Sequence, residues 1–167
     1  MSRLFRVVAL AAVLLAVSGG WRWWNGPERQ IRRLLSEVAA GLGHDGGSRG
    51  VADVAAAAAL GRHLAVDVLI EPGRPFQAIV GRDAAVAAAA ALRAAVPEMR
   101  VAFTDVQIGL APDGVSATVD ATVTATIRDR AGAAQVEARE ALLTVTRLEG
   151  RWIVSQASAV PVLERID

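Results

Sequence analysis

The sequence predicts an α+β domain, in which a curved antiparallel sheet packs on about three helices and an apolar helix precedes them at the N-terminus. Two observations favour this class. Apolar residues recur at helical spacing between residues 27 and 96, and from residue 98 onward the hydrophobic period changes to two. The chain has 167 residues, which is enough for one domain with a substantial core.

Helical spacing is clearest in residues 27–42, where Pro27 suits the first turn of a helix. An Ala-rich segment, residues 51–64, predicts a second helix with a weak point at Gly61. The apolar positions that define the first helix are Ile31, Leu34, Leu35, Val38 and Leu42.

A short strand is predicted over residues 66–72, after the second helix. The residues that follow it form a loop with room for one more short strand. Asp83 can cap a third helix over residues 84–96, which Pro97 ends. Its Ala-rich faces allow close packing against a sheet.

The rest of the chain predicts a four-stranded meander, because apolar and polar residues alternate and turn sequences separate the runs. Val101 and Phe103 share one phase, whereas Val106 and Ile108 fall in the other. A bulge near Thr104 and Asp105 would reconcile the two phases and bend the sheet. Trp152 opens the last strand and is predicted to pack. The predicted strands cover residues 98–110, 115–128, 134–148 and 151–163.

Composition excludes several classes of protein. The chain has no Cys, which rules out disulfides and thiolate metal sites. Three arginines lie in residues 1–24, and residues 25–167 carry 15 Arg against 17 acids, so their net charge is about −2. The basic footprint of a nucleic-acid-binding domain is therefore missing. Abundant Ala and Arg, with no Lys or Tyr, indicate a GC-rich bacterial genome.

The N-terminal segment, residues 1–24, allows two interpretations. As an uncleaved anchor, residues 4–24 would span the inner membrane once, with tryptophans at the interface and the folded domain, residues 25–167, in the periplasm or cell exterior. As a signal peptide, it would be cleaved after Ala16-Val17-Ser18 and the domain secreted. The short apolar core favours cleavage, and the tryptophan cluster favours retention. Membrane binding through residues 4–24 is thus expected under the first interpretation.

Four segments resemble the nuclear transport factor 2-like superfamily, which has the SnoaL-like, cystatin-like cone fold. They are "LAVDVLIEP", "IVGRDAAV", "VAFTDVQI…PDGVSATV" and "LTVTRLEGRWIV", and the resemblance covers residues 27–163. It implies that the final hairpin closes the wall of a cone and that the mouth of the cone is the pocket. It implies little about activity, because this fold carries isomerases, dehydratases, secretion scaffolds and binders.

Glu71 is the sharpest candidate for catalysis. The resemblance to the ketosteroid isomerase branch implies a general-base role, because an acid before proline ends a similar strand there. Burial would make such a carboxylate a more effective base. Glu140 is a candidate second acid or ligand contact. The chain departs from that branch in having no Tyr to stabilise an oxyanion.

His63 and Asp67, four residues apart, are weaker candidates, since a His with an acid partner serves as the base in the dehydratase branch. Their alternative interpretation is a solvated pair at a helix end. Asp105 and Gln107 would contact a ligand if the bulge turns them into the cone. Two His without Cys make a poor metal site, so no metal and no cofactor are expected.

The sequence favours a non-enzymatic binding or scaffold domain tethered to the bacterial cell envelope. Its architecture resembles cone-fold scaffold subunits of type IV secretion and accessory proteins of lipid-import systems. That resemblance implies an envelope protein partner and a homodimer through the sheet face. The alternative is a small-molecule isomerase or hydro-lyase that uses Glu71 or His63. An open cavity with converging acid, base or donor groups would favour the enzyme.

Overall fold

The computed structural model describes residues 26–46, 51–129 and 131–160. Within these residues the chain forms three α-helices, one short 3₁₀ helix and a six-stranded sheet. The helices are α1 (Pro27–Leu42), α2 (Val51–Leu60) and α3 (Arg82–Ala95), with the 3₁₀ helix at Gly61–His63. The strands are β1 (Leu64–Glu71), β2 (Ile79–Val80), β3 (Glu98–Leu110), β4 (Ser116–Arg128), β5 (Ala134–Leu148) and β6 (Arg151–Ala159).

Two helix ends differ from the prediction by more than one residue. Helix α2 ends at Leu60, and the 3₁₀ helix and the first residue of β1 lie where the helix was expected to continue. Gly61, just after this end, packs closely against α3, because a Cβ there would lie 3.1 Å from Cγ2 of Val86. Helix α3 begins at Arg82, with Gly81 at the N-cap position at φ 91°, so Asp83 lies in the first turn and is not the cap.

The sheet order is β2-β1-β6-β5-β4-β3, and the pairing of β1 with β6 is parallel. The sheet is therefore mixed, and the prediction of a purely antiparallel sheet is wrong at this pair. Alternation in sequence shows which face of a strand is buried, but it does not show the direction of the neighbouring strand. The predicted meander of β3 to β6 is confirmed, and all its pairs are antiparallel.

The predicted bulge in β3 is confirmed. The register with β4 shifts between Thr104 and Gln107, and Asp105 adopts φ 52°. On each side of the bulge, apolar residues of β3 pack on the core, as the two phases in the sequence predicted.

The core lies between the helices and one face of the sheet. A single row across the sheet contains Ile70, Ala157, Leu143, Val119 and Ile108, and all of these residues belong to the core or pack against it. Helix α1 covers this face with its buried apolar stripe. Trp152 is 5% exposed and packs in the core, as predicted.

The predicted membrane segment, residues 4–24, lies outside the described residues, as does the end of the last predicted strand. Among the helices that the structure describes, none has the length and apolar character needed to cross a bilayer.

Candidate functional site

The interior of the cone holds a cavity of about 420 Å³ between the helices and the curved sheet. Apolar side chains make up its inner walls. Helix α3 supplies one wall, and it leaves space because three of its four lining residues are alanines. These four residues are Ala85, Ala88, Ala89 and Leu92.

Charged residues line this cavity at its rim, where all of them are exposed. They are Glu71 at the end of β1 and Glu137, Arg139 and Glu140 on β5. Nη2 of Arg139 lies 3.8 Å from Oε2 of Glu137. With three carboxylates against one guanidinium, the rim carries a net negative charge.

Arg139 and Glu137 were not singled out from the sequence, although a signal for them was present. Both residues share the phase of Ala141 and Leu143, which face the core along β5. Arg139 pairs with Val123, which in turn pairs with Phe103, and all three line the cavity. The alternation of β5 therefore extends the cavity wall outward from apolar to charged residues.

Glu71 and Glu140, both candidates from the sequence, line the same rim. Glu71 pairs with Ser158 of β6. The preceding pair, Ile70 and Ala157, is the one that packs against the core. The carboxylate of Glu71 is exposed, and no hydrogen bond or ion pair joins it to another described residue. The burial that the general-base hypothesis required is thus missing at Glu71.

His63 and Asp67 do not pair with each other. His63 Nδ1 lies 3.5 Å from Oε2 of Glu37, a residue of α1 that sequence spacing did not single out. Asp67 is exposed on β1. His63 and Glu37 line a separate surface groove, and neither of them lines the cone cavity.

Asp105 and Gln107 flank the centre of the bulge, and both are exposed. Val106 between them packs against the core. Neither polar residue lines the cavity, because the bulge turns Val106 inward and leaves its neighbours outward. Within residues 26–46, 51–129 and 131–160, no three His, Asp or Glu residues lie close enough to hold a metal ion.

Comparison with known proteins identifies the fold. No family model matches the chain, and no curated protein matches it. Among solved structures, a scytalone dehydratase-like protein from Novosphingobium aromaticivorans has a TM-score of 0.67 at 16% identity, over 81% of this chain and 84% of that one. A nuclear transport factor 2-like protein with a cystatin-like fold, from the same organism, has a TM-score of 0.60 at 17% identity, over 94% and 90% of the two chains.

A protein of unknown function from Mycobacterium tuberculosis is similar to a comparable degree, with a TM-score of 0.63 and 19% identity over 81% of this chain and 77% of that one. At such identities the likeness shows the fold alone. The chain has the nuclear transport factor 2-like, cystatin-like α+β fold, and this confirms the coarse part of the resemblance seen in the sequence.

Proposed function

We propose that this protein binds a compact apolar small molecule inside the cone. One observation carries the proposal, namely a cavity of about 420 Å³ whose inner walls are apolar and whose charged residues are confined to the rim. That volume falls within the range of roughly 300–1,000 Å³ that is typical of small-molecule sites. Binding there needs no chemistry, since burying apolar surface contributes about 25 cal/mol for each Å².

The rim narrows the class of ligand. Glu71, Glu137 and Glu140 surround the opening with negative charge, and Arg139 is already within ion-pair distance of Glu137. A ligand with a free carboxylate would meet repulsion at this opening. The arrangement favours an apolar body whose exposed end is neutral or cationic and can donate hydrogen bonds to the carboxylates.

A pair of substitutions on one helix tests this proposal. Ala88 lines the cavity, whereas its neighbour Ala87 is exposed and does not line it. Ala88→Leu should fill part of the cavity and weaken binding of the neutral probe N-phenyl-1-naphthylamine by about tenfold or more. Ala87→Leu is the matched control and should leave the affinity unchanged.

Probe fluorescence is measured with the full chain in a maltoside detergent, so that the micelle background is the same for all three proteins. Equal affinity of the two variants and the unsubstituted protein would place the probe outside the cone and count against the proposal.

The alternative is an isomerase or hydro-lyase, and the presence of Glu71 and Glu140 on one rim favours it. In that reaction class a carboxylate would take a proton from a carbon next to a carbonyl. A ligand that copurifies with the protein can be incubated with it and with Glu71→Gln. An enzyme would convert the ligand into a product that has lost the mass of one water or that has the same mass and a new retention time. If this product forms with the unsubstituted protein and not with Glu71→Gln, the result favours the enzyme over the binder.

We further propose that residues 4–24 tether the domain to the inner membrane, with the cone on the periplasmic or outer side. The support is the apolar sequence flanked by Arg3 and Arg6 and by a tryptophan cluster. A retained tether predicts that the mature protein begins at its own N-terminus and resists carbonate extraction from membranes. A new N-terminus near residue 19 would instead indicate secretion after cleavage.

A further inference from the structure

We propose that a second site, a basic groove at the opposite end of β6 from the cone's rim, binds a phosphate group. The groove has a volume of about 740 Å³ and lies between α1, the 3₁₀ helix and the turn that joins β5 to β6. The cone cavity is lined by the last residues of β6, whereas this groove is lined by its first residues, Arg151 and Trp152. The two sites can therefore be tested independently.

Three arginines from three different elements line this groove. Arg33 comes from α1, Arg62 from the 3₁₀ helix and Arg151 from the start of β6. All three are exposed, and none has a carboxylate oxygen within 4.0 Å among the described residues. Arg62 uses one donor, Nε–H, on the carbonyl of Ala59 at 3.5 Å.

Glu37 is the one acidic residue among those that line the groove, and it lies 3.5 Å from His63 Nδ1. Three arginines against this one glutamate give the lining a formal charge of about +2 from these side chains. Residues 25–167 as a whole carry about −2, so positive charge is concentrated here against the average of the domain. An excess of unpaired guanidinium groups in one concave site points to an anionic ligand.

Trp152 gives a second and independent indication. It is 5% exposed and lines the groove, and its indole Nε1–H has no hydrogen-bond acceptor among the described residues. A buried donor without an acceptor destabilises the fold, because the donor has lost its hydrogen bond to water. A ligand oxygen held by the arginines could accept this hydrogen bond, and the site would then combine a fixed neutral donor with three cationic ones.

The turn before Arg151 has a defined backbone geometry. Glu149 and Gly150 both have positive φ, 50° and 81°, and Nε–H of Arg147 donates to the carbonyl of Gly150 at 3.3 Å. One guanidinium group can donate two parallel hydrogen bonds to phosphate oxygens. A tetrahedral phosphate can accept hydrogen bonds from several sides at once. Donors that come from three separate elements match a phosphate better than they match a planar carboxylate.

The phosphate could belong to a free phosphoester or to an anionic lipid headgroup. Arg33 lies in the second turn of α1, so the groove begins within about 10 Å of residue 26 along the helix axis. The tether proposed above would therefore hold the groove close to the headgroups. The shared chemistry is the phosphate group, and the experiment distinguishes the two sources.

The test uses the full chain, labelled with ¹⁵N, in an uncharged maltoside detergent. The indole N–H resonance of Trp152 is assigned with Trp152→Phe, since the chain has four Trp residues. Inorganic phosphate is added in one arm, phosphatidylglycerol in mixed micelles in a second, and the same micelles with diacylglycerol in a third. Sodium chloride at equal ionic strength controls for screening.

Phosphate or phosphatidylglycerol should shift the Trp152 resonance, and diacylglycerol and chloride should not. The combined variant Arg33→Gln, Arg62→Gln and Arg151→Gln should weaken the response at least about tenfold. A matched control, Arg74→Gln, Arg100→Gln and Arg128→Gln, removes the same charge elsewhere and should respond as the unsubstituted protein does. If the combined groove variant does not fold, Arg33→Gln and Arg62→Gln alone should each weaken the response by about threefold or more.

A response to inorganic phosphate identifies the phosphate group itself as sufficient, and a response to phosphatidylglycerol alone identifies the lipid headgroup as the source. No shift of Trp152 in either arm would overturn the proposal. An equal shift in the groove variant and in its control would overturn it as well, because the anion would then act through overall charge.

Discussion

Arg93 shows how one buried cation joins two helices. Its side chain is 6% exposed, and Nη1 donates to the carbonyls of Gly41, at 3.0 Å, and of Gly43. These carbonyls lie at the C-terminal end of α1, where the helix leaves acceptors unpaired and its dipole is negative. A guanidinium from α3 therefore satisfies the end of α1.

Arg93→Met should lower the free energy of unfolding by about 2–3 kcal/mol, because hydrogen bonds from a charged donor are lost and buried carbonyls remain. Urea unfolding of the full chain measures this change. The control is Arg100→Met, since Arg100 is exposed and its ion pairs with Asp45 and Glu98, at 3.7 and 3.6 Å, should contribute less than about 1 kcal/mol. Equal losses in the two variants would contradict the capping role of Arg93.

Asp113 gives the fold a pH-dependent contact in the turn between β3 and β4. The hydroxyl of Ser116, followed by the backbone N–H groups of Val115 and Ser116, lowers the pKa of the Asp113 carboxyl below 3.8. The ionised form is favoured in the folded state, so its contribution is present above pH 3.8 and is lost as the pH falls through the lower, folded pKa. NMR titration of the carboxyl should show this depressed midpoint, and Ser116→Ala should move it upward. An unchanged midpoint in Ser116→Ala would rule out the hydroxyl as the main cause.

The bulge in β3 was predictable, because it changes the phase of the hydrophobic pattern along the strand. Apolar residues change phase between Phe103 and Val106, and only an inserted residue keeps both groups on the core face. The identity of the strained residue followed less directly. Asp105 takes the left-handed conformation, which Asp tolerates better than β-branched residues do.

Asp105→Val should destabilise the protein by about 1–2 kcal/mol, because a β-branched side chain is strained at φ 52°. Gln107→Val is the matched control, since Gln107 is equally exposed on the same strand and has no such constraint. Thermal unfolding of the two variants should separate them, and Asp105→Gly should be at least as stable as the unsubstituted protein. If Asp105→Val unfolds at the same temperature as the control, the bulge carries no strain.

Other features of the elements could not be predicted from the sequence. Helix α2 ends at Leu60, and the close packing of Gly61 against Val86 just beyond it joins residues far apart in sequence. Parallel pairing of β1 with β6 likewise depends on the path of the chain between these two strands, which local sequence does not specify. Tertiary pairing limits the prediction of the site in the same way. Glu71 could be singled out from its place before Pro72, but its pairing with Ser158 of β6 could not be predicted from local sequence.

The two faces of the sheet have different roles. The row of Ile70, Ala157 and Leu143 faces the helices and the cavity. The next row includes Leu142, Asp120 and Gln107, which lie on the outer face. Leu142 is 39% exposed within this otherwise polar row, so the outer face offers an apolar point of contact.

The outer face is the surface through which we propose that two copies of the chain associate. Strands β3 to β6 contain 13, 13, 15 and 9 residues. At a rise of about 3.3 Å per residue and a spacing of about 4.8 Å between strands, they present roughly 800 Å². This area equals what each partner buries in an interface of standard size, about 800 Å².

Leu142→Arg should therefore convert a dimer into a monomer, because two arginines would meet without a partner at the centre of a two-fold interface. Sedimentation velocity of the full chain in detergent measures the change. Val54→Arg is the control, since Val54 is 63% exposed on α2, away from the sheet, and should leave the dimer intact. A monomer before any substitution would refute association through this face. A dimer that persists in Leu142→Arg would show that the interface lies on another surface. The outer face of the sheet would then be free, and the cavity and the basic groove would remain separate sites on one subunit.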